Sequence, residues 1–388
     1  MLVKPKKIHF IAIGGSAMHN LALTLHDSGV KITGSDDEIY GVSAERLKTA
    51  GICPEKLGWF PEKISNEIDC IVLGMHAKSD NPELAKAQQL NIPIFSLPEF
   101  IYQHCINKQR IVICGSHGKT TVTSMIVHVL KRLNKDFDYL VGAGIEGFDR
   151  MVKLTDSPFV IIEGDEYLSS CLDNKPKFLN YNHHIAVVTG ISWDHANVFP
   201  TQKEYIEQFE RLIFQTPRAG SVIYSEQDSE LKRIMKSDLF DVNKISYVAF
   251  PNKNRKGITT IGDSAHSKEV SFFGDHNMLN LSAAWHVVQR LGVEMEEFVD
   301  AISTFSGAKG RLEKISETPK TVVYKDFAHS PSKLKATVEA VEKKYSDKKV
   351  IAVYELHTYS SLSMSFLPQY RNSLDLADEA IVFYNPNF

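Results

Sequence analysis

The stretch that most constrains this chain is Ile111-Val112-Ile113-Cys114-Gly115-Ser116-His117-Gly118-Lys119-Thr120-Thr121. A β-branched run is followed by a tight loop with a glycine at each end. Apolar residues then recur at helical spacing: Val122, Met125, Ile126, Val129, Leu130 and Leu133. Strand, glycine loop, Lys-Thr and helix form the build of a phosphate-binding loop, where backbone N–H groups and a helix N-terminus favour anionic oxygens. In that build Lys119 reaches the terminal phosphates of ATP or GTP, and the Thr120 hydroxyl sits on Mg²⁺. The loop is a short form, Gly-x-x-Gly-Lys-Thr-Thr, because Ile113 stands where the general motif has its first glycine.

The rest of the chain supplies a matching frame. Residues 7–13 read as a buried strand, Gly14-Gly15 as a turn, residues 18–26 as a helix and 30–33 as a second strand ending near Asp36. This βαβ unit, with an acidic residue after the second strand, has the form of a nucleotide-diphosphate site, although Ala12 and Ala17 occupy the outer glycine positions. Strands at 70–74 and 92–95 alternate with helices at 82–89 and 98–105, so a parallel sheet with helices on its faces is expected. The polar residues Asn107-Lys108-Gln109 mark a first boundary and Ser306-Gly307 a second. The expected domains are 1–107, 108–307 and 308–388.

In the second segment, strands at 159–162 and 185–189 end in Glu163-Gly164-Asp165-Glu166 and in Asp194-His195. Acidic residues at the carboxyl end of a strand beside such a loop are placed to hold Mg²⁺, and His195 follows the next strand. His183 and His184 read as structural. Residues 203–214 read as an amphipathic helix and 226–270 as short antiparallel strands. His276, Asn277 and Asn280 open a further helix, where side-chain amides offer donor and acceptor pairs to a base edge. Strands at 321–324, 349–354 and 380–384 around a helix at 334–345 read as a second βαβ start that looks cut short.

Composition narrows the function. The 388 residues carry a net charge of −3 with no long basic run, so nucleic acid has no electrostatic footprint. Five scattered cysteines without a Cys-x-x-Cys pair favour a reduced cytoplasmic protein with no structural zinc. No apolar run approaches the roughly 18 residues that span a bilayer, and Gly14-Gly15 cuts the apolar start too short for a leader.

With these residues in view the chain resembles the Mur ligases, the ATP-dependent amide-forming enzymes of peptidoglycan metabolism. The markers fall in the family's order: Gly115 to Thr121, Glu163 to Glu166, Asp194-His195, His276-Asn277 with Asn280, Arg311, and Asp326-Phe327-Ala328-His329-Ser330-Pro331. The resemblance implies an α/β architecture of three domains: an N-terminal Rossmann-like domain, a central P-loop ATPase domain and a partial C-terminal Rossmann-like domain. It implies that ATP drives formation of an acyl phosphate on the lactyl carboxylate of UDP-N-acetylmuramic acid, which an amine then attacks. Lys119, Glu166 and His195 take the catalytic roles, with Thr120, Glu166 and His195 as Mg²⁺ ligands. Gly115, Ser116, His117, Gly118, Lys119, Thr120, Thr121, His276, Asn277, Asn280, Arg311 and Asp326 bind ATP, and Gly14, Gly15 and Asp36 bind the UDP substrate.

Tyr40, the Tyr167 after Glu166, Asp173, Lys177-Phe178, Tyr181 and Phe199 are more similar to the murein peptide ligase branch, which adds the tripeptide L-alanyl-γ-D-glutamyl-meso-diaminopimelate. That branch is the expectation. The alternative is the branch that adds L-alanine, whose His-x-Tyr pattern His357-Thr358-Tyr359 resembles. A non-catalytic nucleotide sensor on the same scaffold is the alternative of another class.

Overall fold

A computed structural model describes residues 5–145, 147–255, 257–263 and 265–385. The chain forms two compact units whose segments interleave: 1–112, 137–142 and 148–184 in the first, and 113–136, 143–147 and 185–388 in the second.

The first unit is built on a parallel sheet in the order Lys31–Ser35, Lys7–Ile11, Cys70–Leu73, Ile94–Ser96. Its register pairs Lys7 with Lys31, Ile8 with Cys70 and Ile71 with Ile94. The strand Cys70–Leu73 is buried throughout, as expected where both sheet faces are covered. The helices start where their caps dictate. Asn81 accepts the N–H groups of Glu83 and Leu84 ahead of Pro82–Gln89, and Ser96 with Glu99 forms a capping box on Leu97–His104. The helix Ser16–Asp27 is tied to the later strand Val152–Lys153: the Asn20 amide oxygen accepts the Met151 N–H at 3.1 Å, and the Thr24 hydroxyl donates to the Val152 carbonyl at 2.9 Å. These bonds account for a polar Asn20 on a buried helix face. Asp138–Leu140 runs parallel to Phe159–Glu163, and a short hairpin, Leu168–Ser170 with Asp173–Pro176, follows.

The second unit carries a parallel set, Ile185–Val188, Ser221–Ser225 and Asn243–Tyr247. The strand Gln109–Cys114 enters this unit at its end, where the Cys114 carbonyl accepts the Thr189 N–H at 3.0 Å. The helices Lys119–Arg132 and Asp275–Arg290 pack together through fully buried Val122, Met125, Ile126, Leu281 and Ala284. That burial removes the apolar stripe from water and is the main stabilising term here. Two expectations are corrected. Residues 226–270 are not purely antiparallel: a helix, Ser229–Met235, and the parallel strand Asn243–Tyr247 precede the antiparallel ribbon Asn252–Arg255, Ile258–Ile261, Lys268–Val270. The strand Val322–Lys325 does not start a βαβ unit. It pairs antiparallel with Glu313–Glu317, because Thr318 and Thr321 close a tight turn between them. Ile351–Leu356 and Glu379–Tyr384 pair in parallel there, over a small core of Leu334, Val338 and Tyr354 beneath the helix Pro331–Lys344.

Candidate active site

In the second unit the phosphate loop is closed by its own backbone and by its neighbours. Gly118 caps the helix Lys119–Arg132 with φ +74°, a left-handed conformation that glycine adopts at little cost. A Cβ at Gly118 would run into the Asn280 amide, and one at Gly115 would come within 2.8 Å of the Gly190 carbonyl. Ser116 donates its backbone N–H to Gly190 at 2.8 Å, and the Thr189 hydroxyl donates to the His117 carbonyl. Lys119 folds its Nζ onto the Gly115 carbonyl at 2.7 Å. The loop is therefore held in shape by contacts within the chain, with the Lys119 ammonium on the Gly115 carbonyl.

Residues far along the chain meet this loop. Arg311 donates to the Thr120 hydroxyl at 3.3 Å, and its guanidinium lies 5.0 Å from the Phe327 ring centre. The Ser332 hydroxyl lies 2.8 Å from His117 Nε2. Burial, then the nearby Lys333, pushes His117 down to about 4, so its imidazole is neutral at pH 7. Asp194 is 3% exposed, and its Oδ2 takes Lys333 Nζ at 3.3 Å and His329 Nε2 at 3.7 Å. Burial opposes charge on Asp194, but His329, Lys333 and His195 outweigh it and hold the carboxyl well below the usual carboxylate range. Burial lowers His329 below the ordinary histidine value, against the raising effect of its contact with Asp194. His195 itself has φ +54°, and its N–H is accepted by Asp194 Oδ1 at 2.8 Å.

The amides expected at a base edge are engaged within the chain. Asn277 donates to the Phe273 carbonyl at 2.8 Å, and Asn280 lies 3.4 Å from the Asn277 oxygen while its own oxygen faces Gly118. His276 is lowered by burial. Asp326 accepts from the Thr337 hydroxyl. Beside these residues opens a cavity of about 1290 Å³ whose walls include Thr121, Phe273, Asn277, Arg311, Lys344 and Tyr345. Its size is ample for a nucleotide.

The first unit holds the remaining predicted residues. Gly14 donates its N–H to Asp36 Oδ2 at 2.6 Å, and Gly15 precedes the helix Ser16–Asp27. Burial raises the Asp36 carboxyl above its usual range, against the lowering by the Gly14 N–H. Ala12 stands at φ +67°, in the conformation that a glycine would have taken. Glu163 accepts the Gly142 N–H at 2.6 Å, Asp165 pairs with Lys177 at 2.8 Å, and Glu166 is fully buried. His184 accepts the Arg110 N–H at 3.0 Å, which is a structural task.

Sequence reasoning assigned no role to Thr189, His329, Ser332 or Lys333. His329 fell inside a motif that was singled out, but Lys333 lies two residues beyond Pro331 and carries no local signal.

Among the described residues no three His, Cys, Asp or Glu side chains cluster at ligand spacing. Mg²⁺ does not need such a cage, because it keeps waters and takes one or two protein oxygens together with phosphate. In the second unit the Thr120 hydroxyl is a hard oxygen donor of that kind, and in the first unit the buried Glu166 carboxylate is another.

Two family models match: the Mur ligase family catalytic domain over residues 7–109 and the Mur ligase middle domain over 113–288. The chain belongs to the Mur ligase family, and it is an ATP-dependent ligase. It is 33% identical over 374 residues to the UDP-N-acetylmuramate–L-alanine ligase of Lactobacillus gasseri, covering 93% of this chain and 80% of that one. The enzyme of that name from Caldicellulosiruptor bescii is 32% identical over 394 residues, with 97% and 83% covered. Among solved structures, the UDP-N-acetylmuramate–alanine ligase of Thermotoga maritima superposes with a TM-score of 0.75 at 22% identity, covering 98% of this chain and 86% of that one. A murein peptide ligase from Psychrobacter arcticus superposes at 0.72 and 23%, with 97% and 84% covered. Those two likenesses establish the fold.

The expectation of a tripeptide substrate is corrected by these relatives, which carry the L-alanine name at up to 33% identity over nearly the whole chain. Tyr40 is 72% exposed at the start of a helix, and Tyr167 donates its backbone N–H to Asp165 in a local turn.

Proposed function

We propose that this protein joins L-alanine to UDP-N-acetylmuramic acid at the expense of ATP, in the cytoplasm, as a step of peptidoglycan and cell-wall synthesis. The observation that carries this reading is the loop of Gly115 to Thr121, closed by contacts within the chain, in a chain whose relatives are named for that ligation. A free carboxylate does not acylate an amine, because oxide is too poor a leaving group. Transfer of the γ-phosphoryl group to the lactyl carboxylate gives an acyl phosphate and ADP. The alanine nitrogen adds to its carbonyl, and the tetrahedral adduct loses phosphate to leave the amide.

Phosphoryl transfer asks mainly for positioning and charge neutralisation. Lys119 leaves the Gly115 carbonyl to meet the γ-phosphate, and Arg311 supports it beside Thr120. Ser116, His117, Gly118 and Thr121 complete the loop around the phosphates. The base takes the end of the large cavity that Asn277 lines, with His276 next to it in the chain, Asn280 bracing the loop and Asp326 on the ribose. Gly14, Gly15 and Asp36 hold the uridine diphosphate end, Asp36 exchanging its bond to Gly14 for one to the ligand. Thr120, Glu166 and His195 would hold Mg²⁺, which neutralises phosphate charge when bound. The domain division at 107 and 307 belongs to the same reading.

The test is phosphate release with ATP, Mg²⁺ and UDP-N-acetylmuramic acid, supplying L-alanine in one arm and the tripeptide in another. Stimulation by L-alanine alone is expected. Stimulation by the tripeptide alone, or silence in both arms, overturns the proposal.

A further inference from the structure

One turn of one helix touches both halves of the candidate phosphate site. In the helix Pro331–Lys344, Ser332 bonds the loop residue His117 and Lys333 reaches Asp194. Asp194 passes that contact on. One of its oxygens takes Lys333 at 3.3 Å, and the other accepts the backbone N–H of His195 at 2.8 Å. At φ +54° His195 occupies a backbone region that few non-glycine residues adopt without a hold from their surroundings. The bond from Asp194 to the His195 N–H is such a hold. Asp194 is 3% exposed, so its carboxylate has little water to fall back on if the cation leaves.

We infer that Lys333 is a positioning residue for His195: by anchoring the Asp194 carboxylate it fixes the left-handed backbone of His195 and so the direction of its imidazole. The inference rests on the role given to His195 in the proposed function. Lys333 lies more than a hundred residues after His195 in the chain, on a helix that follows the Asp326 to Pro331 segment. Lys333 therefore couples the setting of His195 to the docking of that helix, beside the local turn in which the His195 carbonyl accepts the Val198 and Phe199 N–H groups. Ser332 makes the same helix report to the phosphate loop, so both sides of the phosphate site are aligned by a single docking event.

The test uses the full chain and the variants Lys333→Ala, Lys333→Met and Lys333→Arg, read by amide hydrogen exchange and by steady-state kinetics. Exchange at the His195 amide is expected to quicken about tenfold in Lys333→Ala and Lys333→Met, with little change in residues 185–188 or 119–132, since exchange follows local opening. In alanine-dependent phosphate release kcat falls about tenfold while KM for ATP moves less than about twofold, the pattern of a lost alignment rather than of lost binding. Lys333→Arg, which keeps the charge, restores exchange and kcat to within about threefold of the parent. Lys333→Met keeps the apolar stem, so a loss of packing alone would spare it. The inference is overturned if exchange at His195 is unchanged in Lys333→Ala, or if exchange rises equally throughout the second unit. If the parent shows no alanine-dependent turnover the proposed function fails, while the exchange arm still decides the role of Lys333.

Discussion

Two strand–turn–helix junctions in this protein look alike in outline and differ in what closes on them. The turn at Ala12 to Gly15 has no basic side chain of its own, and its Gly14 N–H is given to Asp36. The turn at Gly115 to Gly118 leads into Lys119 and Thr120, and its left-handed glycine is closed over by Asn280. The first turn puts up with a strained Ala12 at φ +67°, whereas the second leaves no room for a methyl at either glycine. A turn that presents backbone N–H groups suits a diphosphate on a helix N-terminus, and one with a lysine suits a phosphoryl group in transfer. Glycine spacing alone does not separate the two turns. The side chains that close on each do.

The sharpest way to break this comparison is to remove the lysine. Lys119→Ala is expected to cut phosphate release at least about a thousandfold, because the charge is needed where the γ-phosphoryl group moves. Binding of UDP-N-acetylmuramic acid, measured by calorimetry, should stay unchanged. Retained turnover would take Lys119 out of the mechanism.

Gly118→Ala comes next. The added methyl meets the Asn280 amide in a backbone region that alanine disfavours, so ATP affinity should fall by about tenfold or more. Adding Asn280→Gly makes space and should recover part of that loss. No recovery in an ATP titration of the double variant would show that backbone strain, not the amide, sets the cost.

His117 gives the second turn a pH signature. Its folded value of about 4 lies below the ordinary 6.5, so the unfolded chain binds the extra proton. Stability is then full above about pH 6.5 and declines as the pH falls towards 4, by about 2–3 kcal/mol. Denaturant titrations of His117→Gln should lack that part of the slope.

The smallest effect belongs to the first turn and has the opposite sign. Burial raises the folded Asp36 carboxyl, so the native state binds the extra proton. The unfolding free energy of the parent relative to Asp36→Asn should fall as the pH rises from about 4 and level off above the folded value. A flat difference would show that the Gly14 N–H offsets the burial completely.

Much of the fold was legible along the chain. The run Ile111 to Cys114 and the apolar spacing from Val122 to Leu133 announce a buried strand and an amphipathic helix, and the structure contains Gln109–Cys114 and Lys119–Arg132. Residues 226–270 were less legible, because a seven-residue helix and a five-residue strand are too short for a period to declare itself. The segment at 321–324 was misread as the start of a parallel unit. Its own residues do say strand, but the partner is chosen by the Thr318 to Thr321 turn. The tripeptide expectation was overturned by the relatives, which carry the L-alanine name at up to 33% identity over nearly the whole chain. Scattered residues such as Tyr40 and Tyr167 do not separate two branches of one family.

What the sequence by itself determined is local chemistry: which turns are glycine-bounded, where Lys119 and Thr120 open a helix, where acidic residues and His195 end strands, and that the chain builds α/β layers. Those features depend on backbone sterics and on periodicity over a few residues. Only the tertiary structure decided that Asn280 closes on Gly118, that Arg311 reaches Thr120, and that Lys333 and His329 share Asp194. Each of these contacts joins residues more than a hundred positions apart. Such pairings are set by how whole helices and sheets bury their apolar faces, and no local pattern in the chain records them.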